Sequence, residues 1–479
     1  MATGLGHEHN LLRSSGAPPR AIERISEPFR RFFHLEAASG VVLLGCTLLA
    51  LALANSPFAA TYKAFFDTHL NLSVGPLTLD YPLWYWINDA LMTLFFFVVG
   101  LEIKRELIHG ELKERRKVVI PVAGAIGGVA LPVLIFTILI RWQDGGPAAL
   151  RAWAVPMATD IAFVVGCLSL FGRRVPIGLK VFLLSLAIVD DIFAVGVIAL
   201  FYTDTLSVGA LAAALLGFGG ITLLNRLGVR TVSAYVVVGA VIWLFTLKSG
   251  IHPTVAGVAL GLLTPASAWL KGASFVEVLA RSRSEIDAAA QTDEEPLSSE
   301  VIESLRFASR EVTSPLERLE TGLHPWVAFL IMPLFALANA GVAVSASSLS
   351  EPLALSVGAG LFFGKPIGIF LGAVIGSRIF RAPLPDGTGA GLLTAAGFLA
   401  GIGFTMALFI ASLSLKGPLL EQAKGGVLSG SALSMLTGVL LLHFFLPSTA
   451  QVEAAEARAQ GREPANPSPF ASKRAHAIG

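Results

Sequence analysis

Residues 186–203 read LAIVDDIFAVGVIALFYT, two adjacent aspartates, Asp190 and Asp191, inside an apolar run. What that run is depends on its solvent. The chain has 479 residues, 54% of them hydrophobic and only 14% charged, with a mean hydropathy of +0.71. Soluble domains are about 25% charged, because charge keeps their surface in water. A chain this apolar instead has segments for lipid, where a crossing helix needs about 20 apolar residues. At mid-membrane an ionisable group costs at least roughly 2–3 kcal/mol and needs a reason to be there.

Working outward, apolar runs bounded by charges or Pro/Gly turns predict twelve helices, at 36–54, 83–103, 117–140, 152–172, 177–202, 207–224, 231–247, 250–269, 325–343, 352–375, 389–413 and 425–446. The expected fold is an all-α polytopic membrane protein. Basic residues accumulate on the cytoplasmic side of membranes. With twelve spans, 28 of the 35 Lys and Arg fall on the side of the N-terminus and 6 on the other, and Lys365 belongs to neither. Both termini are therefore expected in the cytoplasm.

The domain expected is 36–447, between a basic N-terminal tail, 1–35, with no signal-peptide pattern, and a disordered C-terminal tail, 448–479. Residues 270–324 read as a long cytoplasmic loop with an amphipathic helix near 298–312. Residues 70–80, LNLSVGPLTLD, alternate apolar and polar around Gly-Pro and read as a β-hairpin on the outer face. Cys46 and Cys167 sit in apolar runs and read as small apolar residues. The formal charge of +2, with no basic stripe, points away from nucleic acid.

Four ionisable residues lie near the centre of their spans. They are Asp160 (VPMATDIAF), Asp190, Asp191 and Lys365 (FFGKPIG). A structural salt bridge would account for one acid and the lysine and leave two carboxylates buried without a counter-charge, which is strongly destabilising. Three acids and one base instead suit an ion site. Neighbours on a helix point about 100° apart. One of Asp190 and Asp191 can therefore meet a cation while the other meets a different partner, and Lys365 is the one base at that depth. Carboxylates, Thr159 and freed backbone carbonyls are oxygen donors, which suit sodium, and no His/Cys cluster suggests a transition metal.

The backbone there is also unusual. Pro156 lies four residues before Asp160, and Gly401 and Gly403 precede Thr405 in GIGFTMALFI. Breaks of this kind survive in lipid only when packed by protein or lining a cavity. Interrupted helices bring dipole ends to mid-membrane, which Asp160 and Lys365 can balance. The affected spans, 4 and 11, are the middle helices of 3–5 and 10–12, the pattern of an inverted repeat.

The sequence resembles the NhaA family of bacterial sodium–proton antiporters. The resemblance rests on WINDALMTLFFFVVGLEIKREL (86–107), ATDIAF (158–163), LAIVDDIFAVGVIALFYT (186–203), SGIHPTVAGVALG (249–261), HPWVAFLIMPLFALANAGV (324–342), GKPIG (364–368) and GIGFTMALFIASL (401–413). It implies an NhaA-like fold of twelve helices with inverted repeats and interrupted helices 4 and 11. It also implies Asp191 as main sodium ligand, with Asp160 and Thr159 beside it and Asp190 paired with Lys365. Asp89 would line the outer pathway. Glu102, Arg105, Glu106, Glu320 and His324 would form a cytoplasmic pH-responsive entrance, and His252 would join the pH response. Thr321 departs from the family pattern, standing where a second histidine is common. Without the resemblance, Glu102, Arg105 and Glu106 read as local ion pairs at a helix end, and either histidine as an interfacial residue.

The mechanism expected is competition between Na+ (or Li+) and H+ at one site, pH-regulated, with two protons exchanged per cation and hence net charge movement. Neither cofactor nor enzymatic activity is called for, the inner membrane of a bacterium is the expected location, and the hairpin and the resemblance suggest a homodimer. A sodium-coupled solute symporter is the main alternative, but few polar groups are left to hold a solute. An intramembrane aspartyl protease would carry its aspartates on separate helices.

Overall fold

The twelve apolar segments are helical over most of their length. The computed structural model describes residues 36–74, 77–110, 115–203, 206–229, 232–268, 270, 272–291, 299–343 and 349–448. Among these, eight helices are long and apolar enough to cross a membrane unaided: Leu83–Ile108, Val118–Trp142, Gly146–Ser169, Ile177–Phe201, Val208–Arg226, Pro315–Asn339, Pro352–Phe380 and Pro418–Phe445. Glu36–Ala54 has 19 residues. Ala390–Ala400 and Phe404–Ser414 pass the same test together but are bent by 44° at the break between them. Ala234–Ser249 and Thr254–Leu263 are shorter apolar helices. The tails at 1–35 and 449–479 lie outside the described residues.

Contacts divide the chain into two units. One draws on 1–57, 116–190 and 339–479, the other on 58–115 and 191–338. In the first, small residues let helices touch backbone to backbone, as lipid-embedded helices do in the absence of a hydrophobic drive. A Cβ added at Gly127 would fall on the backbone of Gly368, and one at Gly368 on that of Gly127. This contact joins Val118–Trp142 to Pro352–Phe380. Gly368→Val is expected to push these helices apart and cost about 1–3 kcal/mol. A melting temperature of the detergent-solubilised protein equal to wild type would contradict the packing described.

The second unit contains the hairpin expected at 70–80. Strands His69–Val74 and Leu77–Pro82 pair antiparallel, with Leu72 opposite Leu79. The Gly75–Pro76 turn lies outside the described residues. In the same unit, Leu83–Ile108 packs on Thr254–Leu263, where Gly257 and Gly261 meet the backbone of Thr93, Phe97 and Gly100.

Two sequence expectations change in this unit. The stretch 270–324 is largely helical, with Gly272–Gln291, Ser299–Glu311 and the start of Pro315–Trp326. The helix expected near 298–312 is present, but Gly272–Gln291 is helical where the sequence predicts loop, because its charge density hides the apolar spacing of Phe275, Leu279 and Ile286. The ninth apolar helix also starts at Pro315 rather than 325. Ser314 caps it, accepting from the Glu317 amide at 3.2 Å while the Ser314 amide donates to the Glu317 carboxylate at 3.4 Å.

Candidate cation site

Two breaks in regular helix build the site. The first follows Arg151–Met157, a 3-10 turn containing Pro156, which offers no amide to the helical ladder. The backbone then runs extended through Ala158 and Asp160, and α-helix resumes at Ile161. Asp160 caps that helix, its Oδ1 accepting from the amides of Ala162 at 3.1 Å and Phe163 at 3.4 Å. The second break is Gly401–Gly403, after which helix resumes at Phe404 behind a residue with no side chain to cap it.

The breaks are tied to each other. The Asp160 amide donates to the Ile402 carbonyl at 2.8 Å, and the Thr159 hydroxyl to the Ala400 carbonyl at 2.8 Å. Asp160 Oδ2 accepts from the Thr405 amide at 3.0 Å and from the Thr405 hydroxyl. One carboxylate thus faces the N-terminal ends of two helices, where their partial positive charge is concentrated. It accepts four hydrogen bonds, two on each oxygen. Ser431 completes the second helix end, its oxygen accepting from the amides of Gly403 at 3.1 Å and Phe404 at 3.2 Å.

Lys365 serves the opposite pole. Its ammonium donates to the carbonyl of Met157, at the end of the 3-10 turn, and to Asp190 Oδ2 at 2.6 Å. Lys365 is 0% exposed and Asp190 1%. A wide π-type turn, Gly360–Gly364, leads into Lys365, and its two end glycines sit against Pro156 and Pro132. The second oxygen of Asp190 is buried as well, with Thr159 beside this carboxylate. Asp191 follows on the same helix, is equally buried, and is the first residue of the other unit.

The other unit collects the remaining predicted residues in two groups. Asp89 and His252 form a pair, Oδ1 to Nε2 at 3.5 Å, and His252 Nδ1 lies 2.7 Å from the Thr254 hydroxyl. Arg105 contacts Glu320 directly and lies 3.5 Å from Glu106. Glu102 shares their electrostatic neighbourhood. Lys104 donates to the carbonyls of Leu262 at 2.7 Å and Thr264 at 2.6 Å, at the C-terminal end of Thr254–Leu263. His324 lies one turn beyond Glu320 on Pro315–Trp326.

Oxygen atoms are plentiful at the first unit's site: the Asp160 and Asp190 carboxylates, the Thr159 and Thr405 hydroxyls and main-chain carbonyls at the breaks. That set suits a hard cation such as Na+. No group of three or more His, Cys, Asp or Glu placed to hold a resident metal occurs among the described residues.

Residues 30–442 match the family model described as Na+/H+ antiporter 1. The chain belongs to that family. A curated relative from Rhodopirellula baltica, "Na(+)/H(+) antiporter NhaA", is 47% identical over 90% of this chain and 97% of its own length. The protein of the same name from Oleidesulfovibrio alaskensis is 46% identical over the same shares, and that from Rhizobium meliloti 42% identical over 89% and 97%.

In this member of the Na+/H+ antiporter 1 family, sequence reasoning missed Ser431 and Lys104 as partners of helix ends. A buried serine in an apolar helix is a faint signal, because a serine can return its hydroxyl to its own helix. Ser356 does so, donating to Pro352 at 2.7 Å. Only the fold shows that Ser431 looks outward.

Proposed function

We propose that this chain is a secondary active antiporter that exports Na+, and Li+, in exchange for protons. The observation carrying this reading is Asp160, a buried carboxylate held at the N-terminal ends of two helices by three backbone amides and one hydroxyl. Cation exchange depends on Asp191 as main ligand residue and on Asp160 and Thr159, a reading that rests on the family's motifs, and Asp190 is held by Lys365. A carboxylate binds either a proton or a cation, so the two compete, and movement of one part of the protein against the rest exposes the site alternately to each side. Two protons per cation make the exchange electrogenic, so membrane potential assists export.

The twelve apolar segments make twelve crossings, and the segments broken at 158–160 and 401–403 are single interrupted spans within inverted repeats. Both termini lie in the cytoplasm and the membrane is a bacterial inner membrane. Glu102, Arg105, Glu106, Glu320 and His324 form a pH-responsive cytoplasmic entrance, and the Asp89–His252 pair lines the outer pathway. The hairpin joins two copies into a homodimer. These assignments rest on the family membership and on the groupings described above.

Sodium added to everted membrane vesicles is expected to release protons from the lumen with no organic solute present. A response that requires such a solute would point to a symporter and overturn the reading.

A further inference from the structure

The N-terminal end of Phe404–Ser414 has a problem that its own sequence does not solve. The first amides of any helix lack partners within it. In water they are hydrated, but here Gly403, Phe404 and Thr405 lie in a buried break, and Gly403 supplies no capping side chain. Two different elements lend acceptors. Asp160 takes the Thr405 amide, and Ser431, from Pro418–Phe445, takes those of Gly403 and Phe404.

The two caps differ in kind. Asp160 is an acid and already accepts four hydrogen bonds. Ser431 is neutral, fully buried and has no contact with Asp160 among those described. By holding the two amides just before Thr405, it fixes where Thr405 presents its own amide and hydroxyl to Asp160.

We infer that Ser431 is a positioning residue for the cation site, acting through the N-terminal end of the 404–414 helix on Thr405 and Asp160. This rests on the antiporter reading above. Without the Ser431 oxygen, two buried amides are left without an acceptor. They must either move the 401–405 backbone or turn toward Asp160, and both spoil the arrangement a cation would use. The effect is on cation affinity more than on maximal turnover, because no moving or reacting group is removed.

Three variants of the full-length protein test this in vesicles and in detergent. Ser431→Ala is expected to raise the apparent KM for sodium about tenfold with the maximal rate within about twofold of wild type. Ser431→Thr, which keeps the hydroxyl, restores both. Ser356→Ala removes a fully buried hydroxyl that serves only its own helix and leaves KM within about twofold. Hydrogen–deuterium exchange of the 401–408 peptide reports the cap itself, and exchange at the Gly403 and Phe404 amides is expected to be about tenfold faster in Ser431→Ala than in wild type or Ser431→Thr. If Ser431→Ala does not accumulate as folded protein, Ser431→Cys, a weak acceptor of similar size, is read by the same criteria. Unchanged KM and exchange, an equal KM shift in Ser356→Ala, or a loss confined to maximal rate would each overturn the inference. Absence of sodium-dependent proton flux in the wild type would instead remove the antiporter reading, and the exchange comparison would still decide the capping role.

Discussion

Asp160→Ala is expected to abolish sodium-dependent proton flux and to lower stability more than any other single substitution at the site. Its carboxylate accepts from three backbone amides and one hydroxyl, spread over two helices. Removing it leaves four donors without this acceptor, at about 1–3 kcal/mol for each buried one that finds no other. Charged acceptors at helix N-termini lie toward the upper part of the range for such contacts. Asp160→Asn separates charge from hydrogen bonding. The amide oxygen keeps one pair of donors, while the NH2 group faces the other pair and is repelled. The expected order of melting temperature is therefore wild type, then Asn, then Ala, with sodium-dependent flux absent in both variants. An Asn variant that is fully stable and still transports would show that the carboxylate is neither the cap nor the ligand described.

Lys365→Ala is expected to destabilise by about 3–5 kcal/mol, because it strands the buried carboxylate of Asp190 without its counter-charge. The Met157 carbonyl loses its donor as well. The remedy distinguishes this from simple loss of packing. Asp190→Asn combined with Lys365→Gln replaces the ion pair by a neutral hydrogen-bonded pair, and is expected to recover most of the lost stability. A double variant as unstable as Lys365→Ala would mean that the ammonium acts through something other than Asp190. Transport adds a second readout. If Lys365 gives up a proton during the cycle, Lys365→Ala lowers the charge moved per turnover as well as stability.

Much of this organisation is legible in the chain because lipid makes the code simple. Long apolar runs mark helices, and a mid-span charge stands out against them, which is how Asp160, Asp190, Asp191 and Lys365 emerge. The hairpin is visible in the alternation of LNLSV and LTLDY. Other features have a local signal that composition obscured. Ser314-Pro-Leu-Glu317 is a capping-box pattern that fixes the start of the ninth apolar helix, yet it sits in a charged stretch that reads as loop.

A third group has no local signal. Ser431 and Lys104 act by reaching helix ends more than twenty residues away in sequence. Asp89 and His252, each identified separately, become a pair only when their helices pack. The division of labour between Asp190 and Asp191 is half legible: helical geometry requires different directions, while the Lys365 contact shows which direction Asp190 takes.

That division is the central claim, and sodium-dependent proton flux in vesicles tests it most directly when Asp191→Asn is measured beside the neutral pair Asp190→Asn/Lys365→Gln. The account predicts that Asp191→Asn shows no sodium-dependent flux at any pH, while the neutral pair still exchanges. Sodium-dependent exchange surviving in Asp191→Asn would contradict it.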